Sequence, residues 1–115
     1  MQFDNPFYFL EGVNGQISFY EHFLVITRKG RLGFLTQGFD GAKIVFYKHL
    51  SAVQIKECGL VTNGYFQVVI PGSQESKRGM WEATQDENTV FFSGKDKNET
   101  IKRIAEWIIE KIISY

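Results

Sequence analysis

A chain of 115 residues with 43% apolar and 23% charged side chains, and with 11 phenylalanines, suits one folded domain spanning 1–115 and is too aromatic for a disordered segment. Thirteen basic residues balance 13 acidic ones, so no net field draws the chain to nucleic acid. The single cysteine, Cys58, excludes an intramolecular disulfide and suits a reducing cytoplasm, where it reads as a small buried hydrophobe.

Residues 7–10 form an apolar run between Asp4 and Glu11 with no basic residue before it, which is not the pattern of a signal peptide. From Gly15 to Tyr20, Ile17 and Phe19 alternate with Ser18 and Tyr20, the period that sends successive side chains to opposite faces of a strand. Glu21 and His22 break the pattern, and residues 23–28, β-branched and aromatic, complete a hairpin. A turn follows at residues 28–31. Residues 32–37 fit either a short helix closed by Gly38 or an irregular strand.

After the Asp40-Gly41 turn, residues 43–47 and 50–56 read as strands separated by Lys48 and His49. Residues 64–70 make another, stopped by Pro71-Gly72, and residues 81–84 and 88–93 pair as a last hairpin around Gln85-Asp86-Glu87. Asp96 followed by Glu99 has the spacing of a capping box that opens a helix. On that helix Ile101, Ile104, Ala105, Ile108, Ile109, Ile112 and Ile113 share one half of the circumference, and Glu99, Arg103, Glu106 and Glu110 the other. Its charges keep it from crossing a bilayer, so the protein reads as soluble. The expected fold is mainly β: about seven antiparallel strands in a bent barrel whose open end is capped by the C-terminal helix.

Few residues suggest catalysis. His22 and His49 lie beside turns, without the HxH, HExxH or CxxC spacing of a metal site, so neither a metal nor a cofactor is expected. Asp86 and Glu87 are adjacent and would point to opposite faces of a strand, which makes them turn residues. Residues 38–41 lack the lysine and helix start of a P-loop. A hydrolase would need a pair assembled from afar, such as His49 with Glu57 or Asp86.

Arg28, Lys29 and Arg31, with Lys43 or Lys48 nearby, are candidates to hold an anionic lipid head group. Trp107 falls outside the isoleucine stripe beside Lys111, as an anchor for a partner or as a ring lying along its own sheet edge. Both faces of residues 23–26 and 44–46 are apolar, as expected when one meets the core and the other is covered by helix, loop or partner.

An ordered set of segments carries a resemblance: residues 12–15, Ile26-Thr27-Arg28-Lys29-Gly30, residues 38–41 with Lys43 and Ile44, residues 50–56, Gly64-Tyr65-Phe66-Gln67, Glu75-Ser76-Lys77 and residues 83–92. Together they resemble an uncharacterised bacterial family of pleckstrin-homology-like domains, often found upstream of a short C-terminal oligomerisation segment abbreviated SHOCT. The resemblance implies a seven-stranded bent barrel closed by a helix, no known enzyme activity, and self-association into homo-oligomers; no SHOCT segment follows the helix here. Eukaryotic relatives that bind phosphoinositides carry basic residues in the first hairpin loop, where this chain has Glu21-His22. The expectation is a non-enzymatic protein-interaction or adaptor module of bacterial or phage origin, with peripheral binding of anionic lipid as the alternative.

Overall fold

In a computed structural model, residues 5–28, 42–71 and 88–115 are described. They form seven strands, β1 (Tyr8–Glu11), β2 (Gly15–Phe19), β3 (Phe23–Arg28), β4 (Ala42–Phe46), β5 (Ala52–Lys56), β6 (Gly64–Val69) and β7 (Thr89–Phe92), followed by one helix, α1 (Lys97–Ile113). The fold is mainly β, as the alternating patterns predict. The expected strand at 81–84, the ambiguous segment at 32–37 and the turns at 29–31, 38–41 and 85–87 lie outside the described residues.

The strands make two antiparallel sheets, ordered β1-β2-β3-β4 and β5-β6-β7. In the first, Tyr8, Phe19, Leu24 and Val45 form one cross-strand row, and Leu10, Ile17 and Ile26 form the next. These rows meet Phe66, Val68, Val90 and Phe92 of the second sheet and Ile101, Ile104 and Ile108 of α1 in a single core. Among the described residues the two sheets share no strand ladder, so the arrangement is a bent sandwich rather than a closed barrel.

What joins the sheets is the β1–β2 turn, which lies on the outer edge of β7. Val13 N–H donates to Phe91 O at 2.7 Å; the Asn14 side chain donates to Thr89 O at 3.0 Å and accepts from Phe91 N–H at 2.8 Å. Gly12 makes the approach feasible: a Cβ there would stand 2.3 Å from Phe91 O and 2.4 Å from a Val90 methyl. The edge groups of β7 that would otherwise face solvent are thereby satisfied by a turn.

Two local expectations are corrected, and one strand is added to the expected set. Residues 8–11 form a strand, whose alternation is hidden in the sequence because Phe9, on the solvent side, is as apolar as its inward neighbours Tyr8 and Leu10. Tyr47 and Leu50 belong to no strand. Tyr47 opens and Leu50 follows a 3₁₀ turn, Tyr47–His49, that folds both side chains into the core. The capping box does not form: Asp96 has helical backbone angles and its side chain makes no cap hydrogen bond. Nearby, Asn98 instead reaches across to the β5–β6 connection, accepting from Cys58 N–H at 2.8 Å and donating to Cys58 O at 3.1 Å.

The helix is also turned relative to the isoleucine stripe. Ile101, Ile104 and Ile108 are buried and Trp107 and Ile112 pack partly against the core, while Ile109 and Ile113 are exposed. At about 100° per residue, Trp107 and Ile109 lie on opposite flanks of Ile108, and a helix can bury one flank deeply only by lifting the other. The larger apolar ring wins.

Candidate interaction site

Trp107 stands in a cage of rings. Its centroid is 5.8 Å from Phe7, 5.7 Å from Tyr8, 6.4 Å from Phe19 and 5.6 Å from Tyr47, the last two meeting it edge-on. Lys111, one helical turn on, holds its ammonium 5.3 Å from the Trp107 centroid and bonds the Glu21 carboxylate. That bond holds the Glu21 pKa below its ordinary value. Beside it, His22 Nδ1 and the Tyr115 hydroxyl share a hydrogen bond. Trp107 and Lys111 therefore fasten α1 to β1 and to the β2–β3 turn, leaving them half-buried at a seam of their own domain. Beneath the seam, Tyr47 is fully buried and donates to Tyr20 O at 2.6 Å; burial pushes its phenol pKa up.

The basic cluster is represented by Arg28 alone, half-buried at the end of β3 opposite Gly15; Lys29 and Arg31 lie outside the described residues. Neither lysine suggested beside it is brought there as a free cation. Lys43 donates to Asn88 Oδ1 at 2.6 Å, and Lys48 lies in the 3₁₀ turn after Phe46, the partner of Phe23 at the other end of β3.

His49 stays apart from Glu57, and Asp86, the other carboxylate considered with it, lies outside the described residues. His49 precedes β5 and Glu57 follows it, so the whole strand separates them, and the Glu57 carboxylate lies 4.0 Å from Lys102. Among the described residues no group of three His, Cys, Asp or Glu side chains converges as a metal site would require. Cys58 is buried, its thiol 3.3 Å from Phe92 O.

The outer face of the first sheet carries several exposed apolar side chains. Phe9, Ser18, Val25 and Ile44 form one cross-strand row on it, and Phe23 and Phe46 are paired farther along. Phe9, Ile44 and Phe46 are 47%, 39% and 46% exposed. The Phe23 ring lies 5.1 Å from Tyr20 and 5.7 Å from Phe46, and Phe46 meets His49 at 6.5 Å. The two-sided apolar pattern of residues 23–26 and 44–46 marks this face in the sequence. Phe9 carries no such mark, because the strand it belongs to shows no alternation.

No described helix is long and apolar enough to cross a membrane. Comparison of the chain with protein-family models, curated proteins and solved structures returns no match.

Proposed function

We propose that this domain is a non-enzymatic protein-interaction module, of bacterial origin and working in the cytoplasm, that docks an apolar partner surface on the outer face of its first sheet. The observation that carries the reading is that Phe9 on one edge strand and Ile44 and Phe46 on the other are exposed on the same face of the sheet, with the buried Val25 between them. Solvated sheet faces ordinarily alternate apolar-in with polar-out, and a contiguous exposed apolar patch marks a contact surface. A second copy is the simplest partner, since a two-fold axis makes one apolar face complementary to itself. The resemblance to bacterial pleckstrin-homology-like domains supports the same reading.

Sedimentation velocity over a wide concentration range tests it. The wild-type chain is expected to gain mass with concentration, and Ile44→Ser with Phe46→Ser is expected to remain monomeric while melting cooperatively. A monomeric wild type at all concentrations overturns the self-association reading.

A further inference from the structure

The β5–β6 connection, residues 57–63, presents Leu60 at 87% and Val61 at 96% exposure, the two most exposed large apolar side chains among the described residues. The loop holds them there by its own bonding. Gly59 N–H donates to Thr62 O at 3.1 Å and to Thr62 Oγ1 at 3.2 Å, tightening the apex, and the two-way Asn98–Cys58 bond ties its root to α1. Folding the aliphatic pair back onto the domain would break these contacts.

We infer that this loop is a membrane-insertion tip, which seats Leu60 and Val61 at the boundary between lipid head groups and acyl chains. Two adjacent aliphatics on a convex apex offer little area compared with the roughly 800 Å² per partner of a standard protein interface. The loop also lacks the tryptophan, tyrosine or arginine that usually anchors one. A lipid surface closes around such a tip from every side and buries it completely.

The surroundings suit head groups. Lys56 ends β5, and Lys95, Lys97 and Lys102 lie on or just before the first turns of α1, which the Asn98–Cys58 bond places at the loop root. The nearby carboxylates are Glu11, Glu57, Asp96 and Glu99; Lys97 donates to Glu11 O at 2.7 Å, and Lys102 lies 4.0 Å from both Glu57 and Glu99. Four ammonium groups against four carboxylates leave no net charge, so insertion rather than charge supplies the attraction. Val13 is a third exposed aliphatic, on the turn bonded to Phe91, next to the Phe92 that pairs with Gly64.

Flotation of the whole chain with vesicles of phosphatidylcholine, alone and with phosphatidylglycerol, tests the proposal. Wild type is expected to float with both, and to about the same extent. Leu60→Ser with Val61→Ser is expected to lower partitioning about tenfold or more while melting like wild type. Phe46→Ser, on the other face, should float as wild type does, which separates this proposal from the one above. In Leu60→Trp, added vesicles should shift the emission of the introduced indole to the blue. Absence of flotation with either vesicle, equal flotation of the double variant, or an unshifted emission from the Leu60→Trp variant would overturn the tip, as would capture of a protein through Leu60 and Val61 without vesicle binding.

Discussion

Asn14 spans the two sheets beside Phe91, which is held from both sides: Asn14 Oδ1 takes the Phe91 amide at 2.8 Å while the neighbouring Val13 gives an amide to the Phe91 carbonyl at 2.7 Å. These bonds, with the one from Asn14 Nδ2 to Thr89 O, are the seam by which a four-stranded and a three-stranded sheet become one body. Asn14→Ala strands a Phe91 amide and a Thr89 carbonyl at a part-buried joint, and is expected to cost about 1–3 kcal/mol in urea unfolding. Gly12→Ala should cost at least as much, because its methyl would have to push β7 away by more than a side-chain rotation can accommodate. A Gly12→Ala protein as stable as wild type would show that the turn does not rest on β7.

Two isoleucines of one helix should respond differently. Ile104 is fully buried, so Ile104→Ala removes buried methyl and methylene groups and leaves a cavity, a loss of about 2–5 kcal/mol. Ile109 is half exposed, and Ile109→Ala is expected within about 0.5 kcal/mol of wild type. Chemical denaturation of both variants reads directly which way α1 is turned: comparable losses would restore the symmetric isoleucine stripe as the buried face.

The Asn98 side chain offers a sharper test of the β5–β6 root. Asn98→Asp keeps the acceptor for Cys58 N–H but replaces the donor to Cys58 O with a carboxylate oxygen, whereas Asn98→Ala loses both bonds. Both should destabilise, the alanine variant by about 1–3 kcal/mol. With Asn98→Ala, hydrogen exchange should quicken at the Cys58 amide before it quickens in β6, because the loop root opens without the sheet.

These examples show which parts of the fold are legible in a single sequence. Period-two alternation marks β2, β-branched and aromatic content marks β3, and a run that is apolar on both faces marks residues 44–46, since neighbours along the chain carry those signals. Asn14 and Asn98 act on groups 77 and 40 residues away, and no local pattern distinguishes them from ordinary loop and helix asparagines. The capping box misleads for a local reason: Lys97 N–H donates to Gly94 O and Asn98 N–H to Lys95 O, so the chain is already turning at Asp96, which takes helical backbone angles instead of capping. A stripe drawn by counting isoleucines leaves Trp107 outside, since it gives no weight to a ring whose partners, Tyr8 and Tyr47, lie far off in the sequence. Leu60 and Val61 carry no signal of their own, because two aliphatics beside Gly59 look like the end of a strand until their exposure is known.

The pH dependence of the helix seam follows from Glu21. Its folded-state pKa is depressed, chiefly by the hydrogen bond from Lys111, below an ordinary value of 4.5, so the unfolded chain takes up a proton first as pH falls. The stabilisation is therefore fully present above that ordinary value and is lost as pH drops through the lowered one. Melting of wild type and Glu21→Gln at matched pH isolates this contribution, because every other ionisable group is common to both. A small difference favouring wild type is expected at neutral pH, shrinking with added salt since Glu21 is solvent-exposed, and vanishing once the pH falls below the lowered Glu21 value. Lys111→Met should abolish the pH dependence of that difference while keeping an apolar chain over Trp107, and a difference that instead grew on acidification would show that Lys111 does not hold the Glu21 carboxylate in its charged form.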